Sequence, residues 1–463
     1  MDFVHRTFQD YLGAKAAVED RDFGMLVRNA HDDTWHDVIR MAVGHARVGE
    51  RAELLRALMD KAQAANGRER SQLVVLVAGC LEHAPELYPD VRSQVEDFTS
   101  QLLPPKDFAA ASELATVGEP VLDLLPDPAG LDAYEAASTI VTAWEVGGPR
   151  ALDIISRFRE DTRPLVVNTL IAGWDRFDLA EYTDAVLAHA ALSDQFLMME
   201  TADHLEQFDR LPHATKVNLR GNHGLPDSIK QRRTLEGLVL DQNQTLTDLT
   251  PLTRLDRLSD LSLSKCTRVR DLSPLSDLPL SALSLSRIPD YLSLAWIYEL
   301  GALSKLSLNY AAPIQRLADL PTTGNLSSLT LWSEACHISL NGIDRWPDLK
   351  HLSISGGTRS RQLHHLPAVP SLTSLQLMRT QVEPELLLRH DSLRLLRLTQ
   401  CSFAVSLEPL RDLYSLKVLE VGFSETPVDL SPLAHLDQLV IEVYGGGPVT
   451  GAETIPPERI RFL

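Results

Sequence analysis

The sequence has few of the features that mark exported, membrane-inserted or metal-binding proteins. Its four cysteines are far apart and form no CxxC pair, which favours a reducing compartment over a disulfide scaffold. No group of Cys and His has the spacing of metal ligands, so no metal site is predicted. The start of the chain carries charges where a signal peptide needs an apolar core, and the apolar run 73–81 is about half of the roughly 20 residues that cross a bilayer. We therefore expect a cytoplasmic protein without membrane insertion.

Catalytic motifs are also missing. There is no G-x-S-x-G nucleophile elbow and no HExxH-like face on a helix, and the phosphate-binding pattern G-x-x-x-x-G-K-[ST] does not occur. The serines near His351, His364 and His365 recur with a repeat, so the strand pattern sets them and not a catalytic site. We predict that the chain is not an enzyme and holds no cofactor of its own.

The charge distribution divides the chain. The net charge of −19 would repel phosphates and argues against a nucleic-acid partner. Residues 1–200 hold 34 acidic and 18 basic side chains, whereas residues 201–463 hold 29 and 26. This difference predicts a domain boundary near residue 200. Aromatic residues make up only 6% of the chain while leucine is abundant, which is typical of a leucine-based repeat.

The pattern L-x-x-L-x-L returns eleven times after residue 213, at intervals of 20 to 23 residues. These intervals lie within the roughly 20–29 residues of leucine-rich repeats. The units begin at Ala214, Leu235, Leu258, Leu280, Leu303, Leu326, Leu349, Leu372, Leu393, Leu416 and Leu436. Because L-x-L alternates with period two, each unit predicts a short strand with leucines on its inner face. Stacked units then form a curved solenoid with a parallel concave sheet of about eleven strands.

Two further positions in the units predict turns. Soon after the strand, Asn222, Asn243, Cys266 and Cys401 are expected to bond backbone groups inside the coil, with Thr380 and Ser424 as partial substitutes. Less regular turns are expected where the pattern fails, at Ile288, Ala311, Glu334 and Gly357. Later in the unit, D-L-[ST]-P-L predicts a short helical turn on the convex side, with Ser or Thr as the cap before Pro. The motif resembles the repeats of internalins over residues 214–442.

The residues between the strand leucines define a candidate binding strip. Its central row is Asn218, Val239, Ser262, Ser284, Ser307, Thr330, Ser353, Gln376, Arg397, Glu420 and Val440. The middle of this row predicts a smooth floor of hydroxyl groups. Five larger residues are the candidate partner-binding residues around that floor, namely Lys305, Trp332, His351, Met378 and Arg397. The bulky Trp, Met and Arg among them resemble interface anchors, and all but Lys305 are expected in matching outward positions on neighbouring strands. The alternative for Trp332 and Met378 is that they cover neighbouring coils.

Residues 1–200 instead show apolar spacings of three and four, as in Leu54, Leu55 and Leu58, which predicts an acidic all-α domain of roughly ten helices. The predicted fold class is therefore a helical domain followed by an α/β repeat. The expected domains are 1–200 (helical), 201–442 (repeats) and 443–463 (a carboxyl-terminal cap).

The segment FVHRTFQDYLGA at residues 3–14 resembles F-x-H-x-T-F-Q-E-Y-L-A-A of NACHT-type signal-transduction ATPases, which include NOD-like receptors. This resemblance implies that residues 1–200 contain the end of a winged-helix region and the helical domain that follows it. It also implies that His5 contacts nucleotide phosphate in a complete family member. Because the phosphate-binding loop is missing, ATP or ADP is expected only if an upstream nucleotide-binding module joins this chain.

The leading hypothesis is thus the sensor portion of a NACHT-type ATPase, which binds a protein ligand on the concave face, with antiviral defence as the role that bacterial members suggest. The alternative is a stand-alone protein-binding scaffold without nucleotide control.

Overall fold

The structure is a computed structural model. It describes residues 6–84, 86–309, 316–322, 325–332, 340–355, 361–363, 366–403, 407–422, 427–445 and 449–463. The chain divides into two compact units: residues 1–195 with 206–213, and residues 196–205 with 214–463.

The first unit is helical, as expected, and its described residues contain eleven α-helices. These are α1 (Arg6–Glu19), α2 (Phe23–Asn29), α3 (His36–His45), α4 (Val48–Ala64), α5 (Gly67–Cys80), α6 (Pro89–Thr99), α7 (Phe108–Ala115), α8 (Ala133–Val146), α9 (Gly148–Ser156), α10 (Pro164–Ala172) and α11 (Leu179–Tyr182). Helix α8 begins with a capping box, in which Asp132 and Glu135 bond each other's backbone N–H groups. The predicted apolar stripe Leu54, Leu55 and Leu58 is fully buried in a core shared by α1 to α6.

A buried arginine holds the end of α3. The Arg51 guanidinium donates to the carbonyls of Val43 at 2.7 Å, Gly44 at 3.0 Å and Glu86 at 2.6 Å. Two of these carbonyls belong to the last turn of α3, where a helix has no backbone donors left. Periodicity does not reveal this contact, because Arg51 looks like one of many polar residues on α4.

The second unit is built on a parallel sheet of thirteen strands among the described residues. Its strands are β1 (Leu197–Met199), β2 (Lys216–Arg220), β3 (Gly237–Asp241), β4 (Asp260–Ser264), β5 (Ala282–Ser286), β6 (Lys305–Asn309), β7 (Ser328–Trp332), β8 (His351–Ser355), β10 (Ser374–Met378), β12 (Leu395–Thr399), β14 (Val418–Gly422), β16 (Val440–Tyr444) and β18 (Ile460–Phe462). The eleven predicted strands are confirmed, and β1 and β18 extend the sheet at its two ends.

Smaller elements complete the second unit. Two smaller parallel sheets contain β9 (Arg361–Leu363), β11 (Thr380–Val382) and β13 (Ser402–Phe403), and β15 (Val428–Asp429) with β17 (Val449–Thr450). Two short helices are α12 (Ala202–Phe208), which crosses the division between the units, and α13 (Asp227–Lys230). In the part of the chain that the structure describes, no helix combines the length and apolar character needed to cross a bilayer.

The sheet register stacks the repeat leucines. Leu261 on β4 pairs with Leu283 on β5 and Leu263 pairs with Leu285, and all four are buried. The second and fourth residues of the repeat strands therefore form a continuous apolar core, as the period-two pattern predicts.

In several described repeats the residue after the strand turns the chain. The position after the strand has a left-handed backbone in seven described repeats, at Gly221, Gln242, Lys265, Arg287, Arg379, Gln400 and Gly445. In six of these repeats, all but the one at Gly445, the N–H of this residue donates to the last carbonyl of the next strand, as from Gln242 to Ser264 at 2.9 Å. The strand ends are thereby bonded from coil to coil.

The next residue is the predicted Asn or Cys position. Asn243 is buried and its Oδ1 accepts from the N–H of Gly224 at 3.2 Å. The Sγ of Cys266 donates to Leu240 at 3.5 Å and that of Cys401 donates to Leu377 at 3.2 Å. Thr380 is buried and donates to Met378 at 2.9 Å.

The remaining residues of this position differ in placement. Asn222 is exposed, and its Oδ1 accepts from the N–H of Gln244 at 2.7 Å. Ile288 is buried. Four other positions lie outside the described residues, namely Ala311, Glu334, Gly357 and Ser424.

The predicted helical turns are 3₁₀ helices, but their cap differs from the prediction. In the turns Thr250–Arg254 and Ser273–Asp277, Thr250 and Ser273 are the first helical residues and not the cap. The carboxylates of Asp248 and Asp271 accept from the N–H groups of Thr250 and Ser273, each at 2.9 Å. Hydrogen bonds from the hydroxyl and N–H of Thr250 lower the pKa of Asp248, and those from the N–H and hydroxyl of Ser273 lower the pKa of Asp271. The Asp of the motif therefore holds the turn, because its side chain reaches the N–H two residues ahead.

The final repeat also differs from the prediction. Val440 pairs with Val418 and is the first residue of β16, whereas Glu442 pairs with Glu420. The prediction that Val440 continues the central row is wrong, since Glu442 holds that place. The cause is a shortened unit, in which Leu439, Ile441 and Val443 are all buried and the leucine pattern fits two registers.

Candidate protein-binding surface

The face of the sheet opposite the leucines consists of three rows. We name them the entry row (first strand residue), the central row (third) and the exit row (fifth), and together they form the open face. Lys305 and His351 are exposed in the entry row, on β6 and β8. Trp332 and Met378 are half-buried in the exit row, and Arg397 is half-buried in the central row. All five predicted residues thus lie on this face, but Trp332, His351, Met378 and Arg397 are spread over three rows, so the prediction that these four hold matching positions is wrong.

Trp332 contacts the neighbouring strand. Its indole Nε1 donates to the hydroxyl of Ser353 on β8 at 3.1 Å. This bond holds the ring over part of the central row while the side chain remains half-exposed. Trp332 therefore covers a neighbouring coil and also contributes to the open face.

The middle of the open face is a hydroxyl-rich floor. Ser262, Ser284, Ser307, Thr330 and Ser353 occupy successive central-row positions on β4 to β8. These short side chains are half-buried, so the sheet backbone is approachable from this side.

The serines just before the strands have a different role. Ser281, Ser304 and Ser327 each donate to the carbonyl of the matching residue one repeat earlier, at 3.1 to 3.2 Å. They tie successive coils together.

The carboxyl-terminal part of the open face is charged. Arg397, Glu420, Glu442 and Arg461 follow one another in the central row of β12, β14, β16 and β18. The Arg397 guanidinium donates twice to the Glu420 carboxylate, whereas Arg461 reaches Glu442 at 3.4 Å. The hydrogen bonds to Glu420 raise the pKa of Arg397. Sequence periodicity does not reveal this row of charges, because it places Val440 where Glu442 stands.

A notch lies beside these charges. It is lined by Arg397, Thr399, Glu420, Gly422 and Tyr444 and has a volume of about 280 Å³. The Tyr444 hydroxyl donates to Glu442 at 2.9 Å, and this bond raises the pKa of the phenol. Gly422 stands between Thr399 and Tyr444 in the exit row and contributes no side chain.

The other candidate chemistry is sparse. Within the described ranges, no group of three or more His, Cys, Asp or Glu side chains could hold a metal ion. Cys80, Cys266 and Cys401 are buried cysteines. His5, His364, His365 and Cys336 lie outside the described residues, so the expected role of His5 is untested.

Comparison with solved structures finds several proteins to which this chain is similar. An internalin (inlF) of Listeria monocytogenes is 15% identical with a TM-score of 0.38, over 63% of this chain and 93% of that one. Internalin C2 of the same species is 20% identical with a TM-score of 0.29, over 47% and 83%. A leucine-rich-repeat protein of Leptospira interrogans is 16% identical with a TM-score of 0.31, over 68% and 98%. No protein-family model and no curated protein matches the chain. The second unit is a leucine-rich-repeat solenoid by its own strand register and buried leucines.

Proposed function

We propose that the repeat unit binds a protein partner on its open face. The supporting observation is the contrast between the two faces of one sheet: the leucines are buried, whereas Lys305, His351, Trp332 and Met378 remain at least partly accessible. A broad surface of this kind suits the binding of a protein by shape complementarity more than the binding of a small molecule.

The experiment is a comparison of partner affinity between matched variants. After a partner is isolated by cross-linking, His351→Ala and Met378→Ala should each weaken binding by about 1 kcal/mol or more. Tyr298→Ala is the control, because Tyr298 is 63% exposed on the 3₁₀ turn Ala295–Glu299. If Tyr298→Ala abolishes binding while the open-face variants have no effect, the partner does not bind on the open face and the proposal is wrong.

A more specific form of the proposal makes this chain the sensor of a NACHT-type ATPase. It rests on the resemblance of residues 3–14 and on the exposure of three of those residues. Phe8, Tyr11 and Leu12 are 57%, 40% and 37% exposed and share one face of α1. Such a face suits contact with an adjoining nucleotide-binding module. Signalling, antiviral defence and a cytoplasmic location belong to this form of the proposal.

Its test separates the two forms. A nucleotide-binding module encoded directly upstream should co-purify with this chain, and Leu12→Asp should disrupt the complex while Phe108→Asp, exposed on α7, should not. Titration calorimetry with ATP or ADP and Mg²⁺ should show no binding to this chain alone. Failure to find such a module would leave the alternative of a stand-alone scaffold, and micromolar nucleotide binding by this chain would contradict both.

A further inference from the structure

We infer that the notch at Gly422 receives an aromatic side chain of the protein partner. This inference rests on the proposed function and deepens it, because it names the chemistry of one anchor residue.

The notch lies at a residue without a side chain, and the backbone at this residue does not require glycine. A Cβ built on Gly422 would lie 3.5 Å from the Cβ of Tyr444 and 3.9 Å from Cγ2 of Thr399, which are ordinary contact distances. Gly422 is also absent from the positions with a left-handed backbone. A side chain could therefore stand here, and the buried Gly422 backbone lies at the base of the notch, between β12 and β16.

The charges around the notch are internally paired. Arg397 and Glu420 form a two-bond ion pair, and Glu442 accepts from Tyr444 and from Arg461. The four ionised groups sum to zero within one row. A charged occupant would thus meet both an attractive and a repulsive partner, so an uncharged side chain is favoured.

The walls favour a flat and mainly apolar occupant. They are Tyr444, the Thr399 side chain, the Gly422 backbone and the Arg397–Glu420 ion pair, whose two hydrogen bonds hold the guanidinium in one plane. Aromatic rings pack against both phenol rings and guanidinium planes. The volume of about 280 Å³ is close to the lower end of the ~300–1,000 Å³ of most small-molecule sites. A space of this size accommodates one large side chain.

The neighbouring entry row supports a longer contact. Leu395, Val418 and Val440 are half-buried there, on the same strands as the notch residues. A partner segment anchored at the notch would cover these apolar side chains as well.

The test uses methyl NMR on the full chain with labelled Thr and Val. N-acetyl-tryptophanamide should shift the Thr399 methyl signal saturably with a millimolar Kd. N-acetyl-leucinamide and N-acetyl-argininamide should bind at least about fivefold more weakly. Gly422→Val should abolish the shift, whereas the matched control Gly301→Val, where no atom lies within 4 Å of an added Cβ, should preserve it. If Gly422→Val does not fold, Tyr444→Ala removes one wall and should give the same loss.

The outcomes separate this inference from the function it rests on. Preferred binding of the argininamide, no shift of Thr399 with any probe, or unchanged binding in Gly422→Val would overturn the aromatic assignment. With an isolated partner, unchanged affinity of Gly422→Val beside weakened His351→Ala and Met378→Ala would overturn the notch alone. If the aromatic probe binds at the notch but no open-face variant weakens the binding of the partner, the proposed function is overturned instead.

Discussion

Arg397 and Glu420 face each other across β12 and β14, with Nη2 of Arg397 donating to Oε1 of Glu420 at 2.8 Å. The Arg397 side chain is 42% exposed, whereas that of Glu420 is 8% exposed. Arg397 therefore presents an accessible cation and also neutralises a nearly buried carboxylate. Its truncation changes both properties, so Arg397→Ala is a poor probe of partner binding on its own.

We expect Arg397→Ala to lower the free energy of unfolding by roughly 1–2 kcal/mol, because it leaves the Glu420 carboxylate buried without its cation. Exposure of the arginine keeps the loss below that of a fully buried pair. Urea denaturation of Arg397→Met, Glu420→Met and the double variant measures the coupling. The double variant should be more stable than the sum of the single losses predicts, and strict additivity would show that the ion pair contributes nothing.

Leu329 and Thr330 test the strand register. Leu329 is fully buried on β7, and Thr330 is half-buried on the open face. Leu329→Ala should cost about 2–5 kcal/mol through the lost burial and the cavity left behind. Thr330→Ala should stay within about 0.5 kcal/mol. Scanning calorimetry of the two variants distinguishes them, and equal losses would mean that the side-chain alternation is reversed.

The sequence predicts the repeat strands well, because the leucine pattern returns at a nearly constant interval and the buried residues within each strand alternate with period two. The prediction fails at the last repeat. There, a single residue separates Leu439 from Ile441, whereas two residues separate Leu416 from Leu419 in the repeat before it. Apolar residues at 439, 441 and 443 then satisfy two registers, and only pairing with β14 decides between them.

The sequence predicts which residues lie on the open face, but it does not predict which of them contact each other. The pairing of Arg397 with Glu420 and the bond from Trp332 to Ser353 join residues 23 and 21 positions apart. Such contacts depend on rotamers and on the neighbouring strand. The notch at Gly422 was missed for the same reason, since a single glycine in a strand does not reveal which side chains surround it.

Arg51 should be one of the most important polar residues of the helical unit. Arg51→Met keeps the apolar stem but leaves the carbonyls of Val43, Gly44 and Glu86 without this donor. The expected cost is roughly 2–3 kcal/mol. Arg56→Met is the control on the same helix, because Arg56 is 48% exposed in its ion pair with Asp90 and should cost less than about 1 kcal/mol. Hydrogen exchange at the end of α3 should accelerate in Arg51→Met and remain unchanged in Arg56→Met.

The last prediction concerns the buried thiols of the coil. Burial raises the pKa of Cys266 and Cys401 to about 11, against about 8.5 for a thiol in an unfolded chain. At pH 8 the folded thiols should therefore be ionised in about one molecule in a thousand, compared with roughly a quarter after unfolding. Iodoacetamide should label Cys401 slowly in the native protein and rapidly in urea, as measured by peptide mapping.

The same shift makes stability depend on pH. The pKa of each thiol is higher in the folded protein than in the unfolded chain. The protonated thiol therefore contributes fully to the free energy of unfolding below about pH 8.5, and this contribution decreases as the pH rises toward 11. Cys401→Asn is the matched variant, since Asn243 occupies the same place in an earlier repeat and bonds the turn without a titratable group. Urea denaturation between pH 8 and pH 10 should show a smaller loss of stability in Cys401→Asn than in the original protein. Parallel pH profiles, together with rapid native labelling of Cys401, would mean that this thiol is not buried in the coil.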